Sequence, residues 1–119
     1  MDDDRNMREL LALHLRNAGY EVDVAEDGLA AGYSVLRARP DLIISEINMP
    51  WLDGLEFVTL LRQERSLRDI PVIFLSTHDE GETRGKELGV VRYLPKPVGA
   101  HTLLSIIAEY VQGGRVAFG

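Results

Sequence analysis

The residues able to do chemistry together stand far apart in this chain. Asp2 and Asp3 lie near its start, Glu46 and Asn48 follow one apolar run, Ser76 follows another, and Lys96 sits between two prolines. Three carboxylates drawn into one place repel each other unless a divalent cation or a lysine neutralises them, and a site built only of oxygen donors suits Mg²⁺. With Lys96 beside it, such a pocket would hold a metal and an anionic group of the phosphoryl kind. Taken singly, each residue has a plainer role: an aspartate pair before a helix caps it, and a serine after a strand belongs to a turn. Their chemistry depends on elements that bring them to one edge.

Asp41-Leu42-Ile43-Ile44-Ser45-Glu46 reads as a buried strand that ends in a carboxylate where Pro50, Asp53 and Gly54 force a loop. Ile70 to Leu75 is a second continuous apolar run, the pattern of a strand covered on both faces. Before them, Asp4 is placed to cap a helix from about Arg5 to Ala18, with Met7, Leu10, Leu11, His14, Leu15 and Ala18 on one stripe. His14 reads there as a partly buried histidine rather than a ligand, having no second metal-binding residue at helical spacing. Gly19 ends that helix, Tyr20 to Ala25 alternates like a strand, and Leu29 to Arg39 forms a second helix stopped by Pro40. Leu55, Val58 and Leu61 give the inner side of a helix over Leu55 to Glu64, with Arg62 at its rim. A weakly patterned acidic helix over Glu80 to Leu88, a short strand over Val90 to Leu94 and a helix over Ala100 to Gln112 follow. Strands alternating with helices predict a doubly wound parallel sheet, and in such sheets the working residues sit beyond the carboxyl ends of the strands.

With 119 residues the chain is expected to be one domain, too short for a second to close over a substrate. A net charge of -6 argues against a nucleic-acid surface, and lysine occurs only as Lys86 and Lys96. No apolar run approaches the ~20 residues of a membrane helix, and no signal peptide is visible. The absence of cysteine removes disulfides and thiolate chemistry and is compatible with a cytoplasmic protein.

Over nearly its whole length the sequence resembles the receiver domain of two-component response regulators. Glu46-Ile47-Asn48-Met49-Pro50-Trp51-Leu52-Asp53-Gly54 matches that family's Asp-x-x-Met-Pro-x-x-Asp-Gly at every marked residue except the first. Asp2-Asp3 matches the acidic pair, Ser76 the Thr/Ser switch, Tyr93 the switch aromatic, and Lys96-Pro97 the Lys-Pro whose peptide is cis in relatives. The resemblance implies a flavodoxin-like fold of chemotaxis-type topology and phosphoryl transfer from a histidine kinase or phosphotransfer protein. Mg²⁺ would be ligated by Asp3, the acceptor carboxylate and the carbonyl of Asn48, with Asp2 acting through water and Lys96 holding the phosphoryl group. Ser76 and Tyr93 would then remodel the face presented to an output domain or partner protein, or to a second copy in a homodimer. The first helix and the Trp51 loop are the expected docking region for the kinase. No membrane or nucleic-acid partner is implied.

Three features set the chain apart from that pattern. Glu46 stands at the acceptor position, and its extra methylene carries the carboxylate roughly 1.3–1.5 Å further out, on a scale where ~1 Å costs on the order of a hundredfold in rate. It is expected to reach Lys96 directly, which predicts a pseudo-receiver or a domain partly locked toward the active state. Ser76 and Lys96 are 20 positions apart, about two fewer than in the family. Finally, only Met1 precedes Asp2, so the first strand, central in the family's sheet, is expected to be missing or truncated. Residues 1–112 are then a receiver domain lacking that strand, and residues 113–119 a tail or linker. Either residues are absent, or dimerisation rearranges the sheet, or the strand-like Arg115-Val116-Ala117-Phe118, behind a Gly-Gly hinge, lies parallel in the empty slot, in its own chain or a partner. A small Mg²⁺-dependent phosphatase or phosphotransferase using the same pocket is the competing reading. A haloacid-dehalogenase-like enzyme would need aspartates where Glu46 and Asn48 stand, and a flavodoxin-like electron carrier would need a phosphate loop that is not seen.

Overall fold

The two apolar runs form the strands that the rest of the chain covers, and every residue of the first is buried. In the computed structural model, which describes residues 3–46, 54–76, 86–96 and 98–119, the strands are β1 (Tyr20–Val24), β2 (Leu42–Glu46), β3 (Val72–Ser76), β4 (Arg92–Pro95) and β5 (Gly114–Phe118). The helices described are α1 (Asp3–Asn17), α2 (Gly28–Arg37), α3 (Gly54–Gln63) and α4 (Ala100–Ala108). All strand pairings are parallel, in the order β1-β5-β2-β3-β4. Side chains alternate between the faces: Leu42, Ile44, Ile73 and Leu75 join α1 and α4 in one core, while Ile43, Val72 and Phe74 join α2 and α3 in the other. This is the expected doubly wound, flavodoxin-like sheet.

The expectation of a sheet missing its first strand is corrected here. The position between β1 and β2 is filled, and β5 fills it, so residues 114–118 are not a linker but the centre of the sheet. Five residues pair with β1 from Tyr20↔Gly114 to Val24↔Phe118, and three pair with β2. An open centre would leave backbone N–H and C=O groups of both neighbours unpaired in the core, at ~1–3 kcal/mol each. The strand's own pattern suits the slot: Val116 and Phe118 enter the α1/α4 core and Ala117 the thinner space on the α2/α3 side. Burying Val116 and Phe118 contributes about 1.5–3 kcal/mol each.

The turn into β5 requires glycine. Gly113 and Gly114 have φ of 140° and 94°, and a Cβ on Gly114 would collide with the carboxylate of Asp41. That carboxylate accepts the backbone N–H of Arg115 at 2.9 Å, while the Arg115 guanidinium reaches Asp23 at 2.7 Å and Glu21 at 2.8 Å. The connection from α4 is anchored as well, since the Tyr20 hydroxyl donates to the Val111 carbonyl at 2.9 Å.

Other departures from the sequence reading are local. Asp4 lies inside α1, which begins at Asp3, so it is not the N-cap. Leu10 and His14 face solvent, and the buried side of α1 is Arg8, Leu11, Ala12 and Leu15. The last helix stops at Ala108 rather than Gln112. The acidic helix expected over 80–88 falls mainly outside the described residues. Arg62 ties together the entries to β3 and β4, donating to the carbonyls of Leu88 (2.7 Å), Arg68 (2.8 Å) and Ile70 (2.9 Å). Desolvation lowers its pKa from the ordinary arginine value, against the opposing field of Asp69. No helix among the described residues is long and apolar enough to cross a membrane.

Candidate phosphoacceptor site

β2, β3 and β4 are adjacent and parallel, so Glu46, Ser76 and Lys96 stand at three neighbouring strand ends. Glu46 pairs with Leu75 in the ladder and Ser76 with Pro95, the residue before Lys96. The sheet therefore gathers residues 30 and 20 positions apart along one edge. The backbone of Glu46 is held from the other side by the end of the central strand: its N–H donates to the Gly119 carbonyl at 2.9 Å, and the Gly119 N–H donates to Ile44 at the same distance.

The Glu46 side chain is buried, and two cations meet it. Lys96 Nζ lies 3.4 Å from Oε1, and Arg8 Nη1, from the second turn of α1, lies 3.9 Å from Oε2. All three side chains are at least nine-tenths buried. Burial removes the water that would screen these charges, so the carboxylate is tolerated there only because cations face it. Among the described residues, Arg8 Nε makes no hydrogen bond.

Arg8 is the residue that sequence reasoning missed. It stands three and four positions before Leu11 and Ala12, on the helix face that packs against the sheet. The signal was its helical spacing, which a search for apolar stripes passes over because the residue is charged.

Tyr93 is half-buried and packs edge-on against Phe74, with centroids 5.5 Å apart and planes at 75°, on the α2/α3 side of β4. Asp3 opens α1 and Ser76 closes β3, but their side chains lie outside the description; so do Asp2, Asn48, Trp51 and Pro97 entirely. Of the magnesium ligands expected from the resemblance, Glu46 alone is described with its side chain. Its two oxygens face Lys96 and Arg8, cations with which a metal at this carboxylate would have to compete.

A parallel α/β sheet with a carboxylate at the end of β2 and a lysine at the end of β4, on either side of β3, defines the class: an α/β domain whose ionic cluster lies at the carboxyl ends of its strands. The family follows from comparison with known proteins. The profile of the response regulator receiver domain matches residues 1–108, and the chain belongs to that family. It is 40% identical to the response regulator MprA of Mycobacterium leprae over 109 residues, covering 90% of this chain and 47% of that protein. The chain spans about half the length of the curated relatives it matches. Among solved structures it is similar to the chemotaxis response regulator CheY4 of Vibrio cholerae, with a TM-score of 0.83 at 36% identity, covering 92% of this chain and 93% of that one. The receiver domain of the sensor histidine kinase PA1611 of Pseudomonas aeruginosa, which holds a magnesium ion in its active-site cleft, gives 0.76 at 28% identity over 87% and 86% of the two chains. The central strand β5 lies beyond the residues that the family profile matches.

Proposed function

We propose that this receiver domain carries Glu46 as a standing anion at the acceptor position, which makes it a pseudo-receiver or holds it partly toward the active state. The family is one of signalling modules of two-component transduction rather than of classical enzymes, and a histidine kinase is the partner it implies. The observation that supports the finer reading is the contact between buried Glu46 and Lys96, 3.4 Å, with Arg8 on the second oxygen. A carboxylate so engaged presents a negative charge to Lys96 without phosphorylation. It is an imperfect mimic, offering one charge where a phosphoryl group has close to two. Ser76 and Tyr93 would serve as the switch, and the inward packing of Tyr93 on Phe74 agrees with a domain biased toward one state. Asp2, Asp3 and Asn48 would complete the acidic pocket and Pro97 would shape the Lys96 loop. Magnesium would bind weakly, because it must compete with Lys96 and Arg8 for Glu46.

The test is phosphorylation by a small-molecule phosphoryl donor with Mg²⁺, read by intact mass. The chain as it stands should gain no phosphoryl group, and Glu46→Asp should gain one. Equal labelling of both proteins would overturn the standing-anion reading. No labelling of a folded Glu46→Asp would remove position 46 as an acceptor site.

A further inference from the structure

On the α2/α3 side the cover of the sheet presents apolar side chains to solvent. Leu29, Tyr33 and Leu36 follow at i, i+4 and i+7 along α2 and are 56, 74 and 69% exposed, and Leu60 of α3 is 54% exposed. Single apolar residues on a surface are ordinary, but a contiguous group of this size marks a contact. Beside it lies a cavity of about 230 Å³ between the two helices, bounded by Gly32, Phe57, Leu60 and Leu61, with Glu64 at its rim.

We propose that this face joins two copies of the chain about a twofold axis, with Tyr33 of each copy entering the cavity of the other. An isologous contact needs a surface complementary to itself, and here the projecting ring and the hole are neighbours on one helix. Gly32 opens the hole to the helix backbone: a Cβ placed there would meet no atom within 4 Å. The four apolar side chains expose roughly 400–500 Å² per copy, and two such faces bury on the order of 1,000 Å², the lower limit of a specific contact. The dimer is therefore reversible, not obligate. A different protein offering an amphipathic helix would need its own projecting ring, whereas this chain already supplies one.

Sedimentation velocity across the micromolar range tests the proposal. The chain should dimerise reversibly, and Leu36→Glu should raise the dissociation constant by about tenfold or more. Gly32→Leu fills the cavity from within its own copy and should weaken the dimer as much, without lowering the melting temperature. Leu10→Glu, on an exposed site of α1, should leave it unchanged. A chain that stays monomeric throughout, or a dimer indifferent to both Leu36→Glu and Gly32→Leu, would overturn the assignment.

Discussion

The central strands β5 and β2 run between two charge clusters that differ in nearly everything except their residue types. Where β5 begins, Arg115 meets Asp23 and Glu21 at a solvent-facing rim, and its backbone meets Asp41. At the far end of β2, Glu46 meets Lys96 and Arg8 in a place water barely reaches. The rim pairs are short hydrogen-bonded contacts of 2.7 and 2.8 Å, yet exposed pairs gain little net energy because solvent and salt screen them. The inner pairs are longer, and each charge there depends on the other because neither has bulk water to return to. The rim cluster is thus a register device, telling Arg115 which residues to stand beside. The inner cluster holds the Glu46 carboxylate on which the proposed standing-anion reading rests. Contact length alone would rank the two in the wrong order.

Cutting the span between the clusters should have the largest effect. Phe118→Ala removes a ring buried in the centre of the sheet and should cost about 3–5 kcal/mol in urea unfolding, with both clusters lost together. A loss below about 1 kcal/mol would mean that β5 is not a core strand.

Next in size is the inner cluster. Lys96→Met removes one of the cations that face the buried Glu46 carboxylate and should cost about 3 kcal/mol, the lower end for removing one partner of a buried pair. Adding Glu46→Gln should restore most of that loss, because the remaining side chain no longer carries a charge in need of a cation. Failure of the second change to rescue the first would show that the two residues are not coupled, and a double-mutant cycle measures this directly.

Arg115→Gln should have the smallest effect: a slight fall in melting temperature that shrinks as salt is added. The hydrogen bond to Asp23, then the charges of Asp23, Glu21 and Asp41, raise the Arg115 pKa above its ordinary value. A raised folded-state pKa gives stability that is complete below the unfolded value and lost only as pH climbs through the folded one. The arginine therefore stays charged throughout the neutral range, and mild alkali should not loosen the rim. An effect of Arg115→Gln equal to that of Lys96→Met, or insensitive to salt, would erase the distinction between the clusters.

How much of this could be read beforehand depended on whether the signal was local. The runs at 42–46 and 72–76 announced buried strands because every residue in them is apolar or small up to the polar end. The contact of Glu46 with Lys96 was foreseeable from side-chain length once both were assigned to strand ends. Arg8 showed itself only through its spacing on the buried face of its helix, and nothing near it in sequence pointed to the carboxylate it meets 38 positions away. The tail had a strand-like composition whose meaning depended on a gap elsewhere in the sheet. So short a segment after a Gly-Gly pair becomes a central strand only when β1 and β2 have unpaired edges facing each other.

Native-state amide hydrogen exchange at two positions tests that arrangement most directly. The Glu46 N–H donates to Gly119 and the Gly119 N–H donates to Ile44, so both should exchange only through global unfolding, at the free energy that denaturant titration gives for the whole domain. Exchange at Gly119 and Glu46 as fast as in a free peptide, while β3 stays protected, would contradict a central strand built from residues 114–118 and with it the positioning of the acceptor site.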